Sequence, residues 1–256
     1  MRLRTTAILA SAAAAATSIV LLTGCGGSAS EASPSTATST TAARQAAAVG
    51  VRPYCYPDCQ GANLSGEDLE RADLQRANFR NADLSDADLS RAHLTGANLS
   101  DANLSGANLT RANLTSANLD RADITTANFT HANLNGVRSG NLGGPPLALP
   151  RGWVLAYGYL MGPGANLTSA NFSGMDLSGA NLSGADLVGA NLTGANLTRA
   201  DLSRVDFRGA NLSGANLTSA NLTQSNFTWS NVNTNLTGAT FSNTTCPNGT
   251  VTSTRC

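Results

Sequence analysis

The chain has 256 residues, of which only 12% are charged and 5% aromatic, with 25 glycines. All sixteen basic side chains are arginine, matched by sixteen Asp and Glu, so the formal charge is zero. That balance excludes electrostatic capture of nucleic acid and an overall acidic mimic of it. Aromatics are too few to dominate a conventional core, and the length alone allows one or two domains.

In chain order, Arg2 and Arg4 form a basic n-region and Ala7 to Leu22 an apolar run. The run is too short and too rich in alanine for a good membrane span, and it predicts a signal peptide over residues 1–24. It ends in Leu22-Thr23-Gly24-Cys25, which resembles a bacterial lipobox. The resemblance implies that Cys25 is linked to diacylglycerol and becomes the first residue of the exported protein; the alternative is an ordinary signal peptide with a chance cysteine. Cleavage removes Arg2 and Arg4 and leaves 14 Arg against 16 acids, about −2. No later segment approaches the ~20 apolar residues that span a bilayer. The protein is therefore expected to be exported and held at the cell membrane by lipid, on its extracytoplasmic side. Residues 25–56, rich in Ser, Thr and Ala, predict a disordered tether with a reach of roughly 30 Å.

From residue 57 the chain repeats every five residues, a period that fits neither a helix at 3.6 nor a strand at 2. With the central apolar residue as i, the consensus is Ala at i−2, Asn or Asp at i−1, Leu or Phe at i and Ser or Thr at i+1. The first block, 57–136, holds sixteen repeats; fifteen centres are Leu, Phe or Ile, and fourteen i−2 residues are Ala. The second block, 165–245, runs from Leu167 to Val232, slips by one residue and continues at Leu236 and Phe241. All six phenylalanines of the chain sit at i.

Stretches such as ANLSGANLTRANLTSANL and GANLSGADLVGANLTGANL resemble the pentapeptide-repeat family. The resemblance implies an all-β fold: a right-handed quadrilateral parallel β-helix, four pentapeptides per coil, with i and i−2 pointing inward. About eight coils, interrupted by one insertion, are expected. Phe207 and Phe227, twenty residues apart, should then stack, with Val205 and Ser225 replacing Ala beside them. Met175 at i−2 needs local space, and Glu67 at i−2 is tolerable only if the open first coil admits water. An open coil also exposes a β edge, and each end carries cysteine: Cys55 and Cys59 at the start, and Cys246 and Cys256 in the cap, 246–256. Exported cysteines favour the local disulfides Cys55–Cys59 and Cys246–Cys256, the ends being too far apart for cross-pairing. Zinc is the rival for Cys55 and Cys59, without a second ligand pair nearby.

Residues 137–164 break the repeat with Trp153, Tyr157 and Tyr159 among prolines, alternating as a strand or hairpin would. Either a flap burying its own aromatic face or a recognition loop for protein or glycan is expected. Under both, replacing 140–162 by a Gly-Ser link should leave the fold intact. At i+2, Arg71, Arg91, Arg111 and His131 recur twenty residues apart and predict a basic ladder. It is either neutralised by Glu70, Asp73 and Asp88 or bound to a polyanion.

No catalytic spacing stands out, and the many Asn-Leu-Ser/Thr triplets follow from the repeat itself. Surface carboxylates such as Asp83 and Asp88 lie on a convex wall without a cleft. No enzyme activity, cofactor or metal is expected. The function expected is a lipid-anchored scaffold for protein–protein interaction at the cell envelope. The alternative is a lipoprotein binding glycan or anionic polymer through the insertion or the Arg ladder. Members of the resembling family that mimic DNA and protect gyrase are acidic and cytoplasmic, which sets this nearly neutral, exported chain apart. No nucleic-acid partner is expected.

Overall fold

The computed structural model describes residues 52–254 and 256. The predicted signal peptide, Cys25 and the predicted tether up to residue 51 lie outside the described residues.

Each pentapeptide builds the same unit. The i−1 residue forms a parallel bridge to the i−1 residues twenty before and twenty after it, as in Asp58, Asn78, Asn98 and Asn118. The i N–H donates forward, Leu64 to the Asp83 carbonyl at 2.7 Å, and the Asp83 N–H donates back to Ala62 at 2.9 Å. A turn then closes the side of the coil, with the Ala72 N–H on the Leu69 carbonyl at 3.1 Å. Four such sides complete a twenty-residue turn, so the fold is an all-β parallel β-helix made of bridges rather than long strands.

The inward assignment is explained by size. A narrow tube takes one large side chain per side and only a small one beside it. Leu109 and Ala107 are both fully buried, as are nearly all their equivalents. Phe207 and Phe227 stack with centroids 4.8 Å apart, flanked by buried Val205 and Ser225. The Ser225 hydroxyl donates to the Leu222 carbonyl at 2.7 Å, which satisfies a polar group in the alanine position. Glu67 and Met175 are only partly buried. Glu67 lies in the first coil, and Met175 lies in the first coil after the insertion.

Residues 137–164 require a correction. The expected interruption of the coils is only partial, because the first half of this segment remains in the tube. Arg138, Gly143 and Ala148 are rungs bridged to Asn118, Asp123 and Asn128, and Arg138 is bridged in turn to Asn166. One ladder therefore passes unbroken through the insertion, from Asp58 by way of Arg138 to Thr245. Arg138, Gly143 and Ala148 lack the Asn or Asp of the consensus, so the repeat pattern does not mark them. From Arg138 to Asn166 the step is 28 residues instead of 20. The extra length holds a hairpin, β1 (Val154–Ala156) antiparallel to β2 (Tyr159–Met161). Its two-residue turn, Tyr157-Gly158, has φ of 53° and 76°, the sign that a type I′ hairpin demands.

The core falls into two clusters, one ending at Leu160 and the other beginning at Met161, with Trp153 packed against both. Toward the other end, the slip shortens one side: Asn211 bridges Asn231, but Asn216 bridges Asn235. The missing residue brings Thr234 to an alanine position, where its hydroxyl is buried without a hydrogen-bond partner among the described residues. A short hairpin, β3 (Thr244–Thr245) with β4 (Val251–Thr252), closes this end. Disulfides join Cys246 to Cys256 there and Cys55 to Cys59 at the start.

Candidate functional site: a basic corner and an aromatic insertion

The exposed chemistry of the rod is set by what each repeat places outside. At i−1, the Asn or Asp Oδ1 accepts the N–H of i+1, as Asn113 does from Thr115 at 3.2 Å. The amide then donates one coil back, Asn98 Nδ2 to Asn78 Oδ1 at 3.2 Å and Asn103 Nδ2 to Asp83 Oδ1 at 3.1 Å. Asp83 and Asp88 are thus acceptors within the wall, each holding an Asn amide and a serine N–H. Asp176 is held below the usual carboxylate range, chiefly by hydrogen bonds from Ser178 and then by Asn196.

The i+2 residue turns the corner with positive φ. Glycine takes this conformation without cost from a Cβ, whereas an ordinary side chain does not. In the second block the corner is mostly glycine, as at Gly174, Gly179, Gly184, Gly189 and Gly194. In the first it is often not: Arg71, Arg91, Arg111 and His131 all hold φ between 57° and 60°.

These four residues each follow a rung of one ladder by three positions, the rungs being Asp68, Asp88, Asn108 and Asn128. The next rung is Ala148, and three residues beyond it stands exposed Arg151. The sequence did not reveal this fifth member, because the consensus fails around it and only the twenty-residue spacing marks it.

Of the acids expected to neutralise the row, Glu70 does so: its carboxylate lies 3.5 Å from Arg71 and 3.3 Å from Arg91. Asp73 pairs instead with Arg52, whose hydrogen bond holds the Asp73 carboxyl below its usual range. Asp88 takes its hydrogen bonds from Ser90 and Asn108. Arg111 and Arg151 have no ion-pair partner among the described residues.

Another corner behaves differently. Asp101 receives two bonds from Arg121, at 2.6 and 2.7 Å, and faces Arg80 at 3.6 Å. Arg121 is the main cause that holds the Asp101 carboxyl below its usual range. Asp120 pairs with Arg138 at 2.8 Å.

The insertion spends its rings on packing. Trp153 lies face-on to Gly162, where a Cβ would come within 2.3 Å of the ring. Tyr159 is partly buried and sits 5.0 Å from the Phe172 ring. Tyr157 is 49% exposed, and its hydroxyl accepts the Asp176 N–H at 3.2 Å and donates to the Asp176 carbonyl at 3.3 Å. These contacts are those of a flap docked on the wall.

The repeat model described as pentapeptide repeats matches in eight copies over residues 58–96, 97–136, 164–199 and 200–233. The chain belongs to the pentapeptide-repeat family. Among solved structures it is similar to HetL, a pentapeptide-repeat protein involved in heterocyst differentiation regulation in Nostoc sp. strain PCC 7120. That match has 29% identity and a TM-score of 0.36, and covers 74% of this chain and 87% of HetL. A second pentapeptide-repeat protein from Nostoc, alr5209, is 32% identical over 32% of this chain and 68% of its own, with a TM-score of 0.31. A trypsin-treated form of QnrB1, a plasmid-mediated fluoroquinolone resistance protein, is 19% identical over 73% of this chain and 88% of its own, with a TM-score of 0.30. No curated protein matches.

Within this pentapeptide-repeat rod the proposed binding residues fall into two separate groups. Arg71, Arg91, Arg111 and His131 share one corner; Trp153 and Tyr159 are inside the insertion, leaving Tyr157 half exposed. A shallow concavity of about 410 Å³ lies elsewhere, between Asp201, Arg204, Asn221 and Gln224. Two exposed rings lie outside the predicted binding residues: Tyr54, 83% exposed before the first coil, and Trp229, 81% exposed with φ of 61° at a corner beside the C-terminal cap. Among the described residues no group of three His, Cys, Asp or Glu is placed to hold a metal.

Proposed function

We propose that this pentapeptide-repeat protein is a lipid-anchored, extracytoplasmic scaffold that works by protein–protein contact and performs no catalysis. The observation that carries this reading is the ladder running from Asp58 through Arg138 to Thr245. Its nine steps correspond to about 43 Å of stacked coils. A rod of this kind holds its outward side chains in fixed columns, so docking orders little of it and most of the entropic cost falls on the partner. The glycine corners from Gly174 to Gly194 carry no outward arginine and leave a smooth wall suited to such contact. Disulfides at both ends fit an oxidising compartment, and the lipobox-like Leu22-Thr23-Gly24-Cys25 supplies an anchor at the cell membrane.

The insertion contributes to the rod rather than to recognition in this reading. A glycan-binding ring needs a free face, and Trp153 and Tyr159 have given theirs to the core.

Two measurements test the proposal. The wild-type chain should fractionate with membranes and incorporate labelled fatty acid, and Cys25→Ala should do neither; a soluble, unlabelled wild type rejects the anchor. Photo-crosslinking side chains placed on the second-block wall at Thr168 and Ser173 should give discrete protein adducts in intact cells. Absence of adducts from both positions rejects the scaffold.

A further inference from the structure

We propose that the basic corner is a membrane-docking edge that lays the rod along a surface of anionic lipid headgroups. The choice of a lipid surface rests on the lipid-anchor reading above; the binding edge itself rests on geometry.

The row consists of Arg71, Arg91, Arg111, His131 and Arg151, each three residues beyond a rung of one ladder. Five members one coil apart extend over roughly 19 Å. Their side chains are kept against a backbone preference. The first four occupy left-handed corners, where Gly66, Gly96, Gly106 and Gly136 serve equally well on neighbouring sides of the same coils. A corner needing only to turn would be glycine. Charge compensation is also uneven. Glu70 is shared by Arg71 and Arg91, while Asp73 is occupied by Arg52. Asp68 and Asp88 accept backbone N–H bonds within their own repeats. His93, on the wall that follows the corner, is exposed and adds no negative charge. Four arginines against Glu70, Asp68 and Asp88 leave a net excess of one positive charge. It lies at the Arg111–Arg151 end, where the rungs Asn108, Asn128 and Ala148 are uncharged. By contrast, Asp101 and Asp120 hold Arg121, Arg80 and Arg138 at their own corner.

Shape decides between a lipid surface and a polymer. The row stands on a convex corner, and the concavity at Asp201 and Arg204 lies away from it. A single anionic chain gains most from a groove that surrounds it. A convex edge meets a plane along its whole length, and mobile headgroups can gather at each guanidinium independently. Surface arginines near anionic lipid contribute about fivefold each to partitioning, and so about a hundredfold for three.

The test uses the full chain carrying Cys25→Ala, which needs no acylation to be assayed, with and without Arg71→Gly, Arg91→Gly and Arg111→Gly together. Cosedimentation is measured with vesicles of phosphatidylglycerol and phosphatidylcholine, and with phosphatidylcholine alone. Binding confined to the anionic vesicles, weakened by salt and reduced about a hundredfold in the triple variant, supports the edge. Glycine relieves these corners, so the variant should melt no lower than its parent, and lost binding cannot be ascribed to unfolding. Equal binding by both proteins, or no binding by the parent, overturns the proposal. Parent binding to inorganic polyphosphate but not to vesicles overturns it in favour of a polymer ligand. Failure of the anchor is read separately, from the acylation of the wild-type chain.

Discussion

The asparagine at i−1 shows how much one side chain does here. Asn98 accepts the Ser100 N–H and hydroxyl with the same oxygen, at 3.2 and 2.8 Å, and gives its amide to Asn78. Aspartate can accept these bonds but cannot donate the last one, which is why Asp58, Asp83 and Asp88 are found receiving an Asn from the next coil. At the corners the conflict is between backbone and side chain. A left-handed non-glycine residue costs about 1–2 kcal/mol, of which about 0.4–1 is returned because glycine is freer when unfolded. Arg111→Gly, at a corner without an ion pair, should therefore stabilise the rod by about 0.5–1 kcal/mol. A thermal melt that moves downward would mean that Arg111 is held by a contact.

At the scale of the coil, each side is one thin layer of Leu or Phe with Ala, and each layer touches only its neighbours. Leu109 is fully buried, so Leu109→Ala should cost about 2–5 kcal/mol by leaving a cavity in a tube too narrow to collapse. A melting temperature equal to wild type would contradict its inward placement. The insertion obeys the same logic. Gly143 and Ala148 are rungs and Trp153 joins both core clusters. Replacing 140–162 by a Gly-Ser link should consequently lower the melting temperature or separate two transitions, contrary to the expectation from sequence that the fold is indifferent to it. Calorimetry showing one unchanged transition would reinstate a dispensable flap.

For the whole molecule, nearest-neighbour stability means that damage stays local. The Cys246–Cys256 link closes a loop of ten residues, worth about 2–3 kcal/mol in the chain-entropy account. Cys256→Ser should speed amide exchange in the final coils, around Leu222 to Thr245, and leave Leu74 to Leu119 unchanged. Uniform acceleration along the rod would show cooperative unfolding instead. The same extended, layered design places the basic corner and the docked insertion on one continuous body without enclosing either.

The five-residue period showed the repeat and the slip before Leu236, and its resemblance to pentapeptide repeats implied the β-helix, the inward columns and the Phe207–Phe227 stack. These follow from strict repetition, because in a solenoid a residue's place depends only on its position modulo the coil. Twenty-residue spacing likewise made Arg71, Arg91, Arg111 and His131 legible as one row. Only the tertiary structure decided what happens where the pattern stops. Arg138, Gly143 and Ala148 keep the ladder through backbone hydrogen bonds, which any residue can make, so the consensus could vanish while the coil continued. Ion pairing was equally hidden: Asp73 lies near Arg71 in sequence, yet it is Arg52, folded back across the first coil, that reaches it. Repetition fixes where a side chain emerges; the residues that meet it there depend on how the irregular segments pack against the stack.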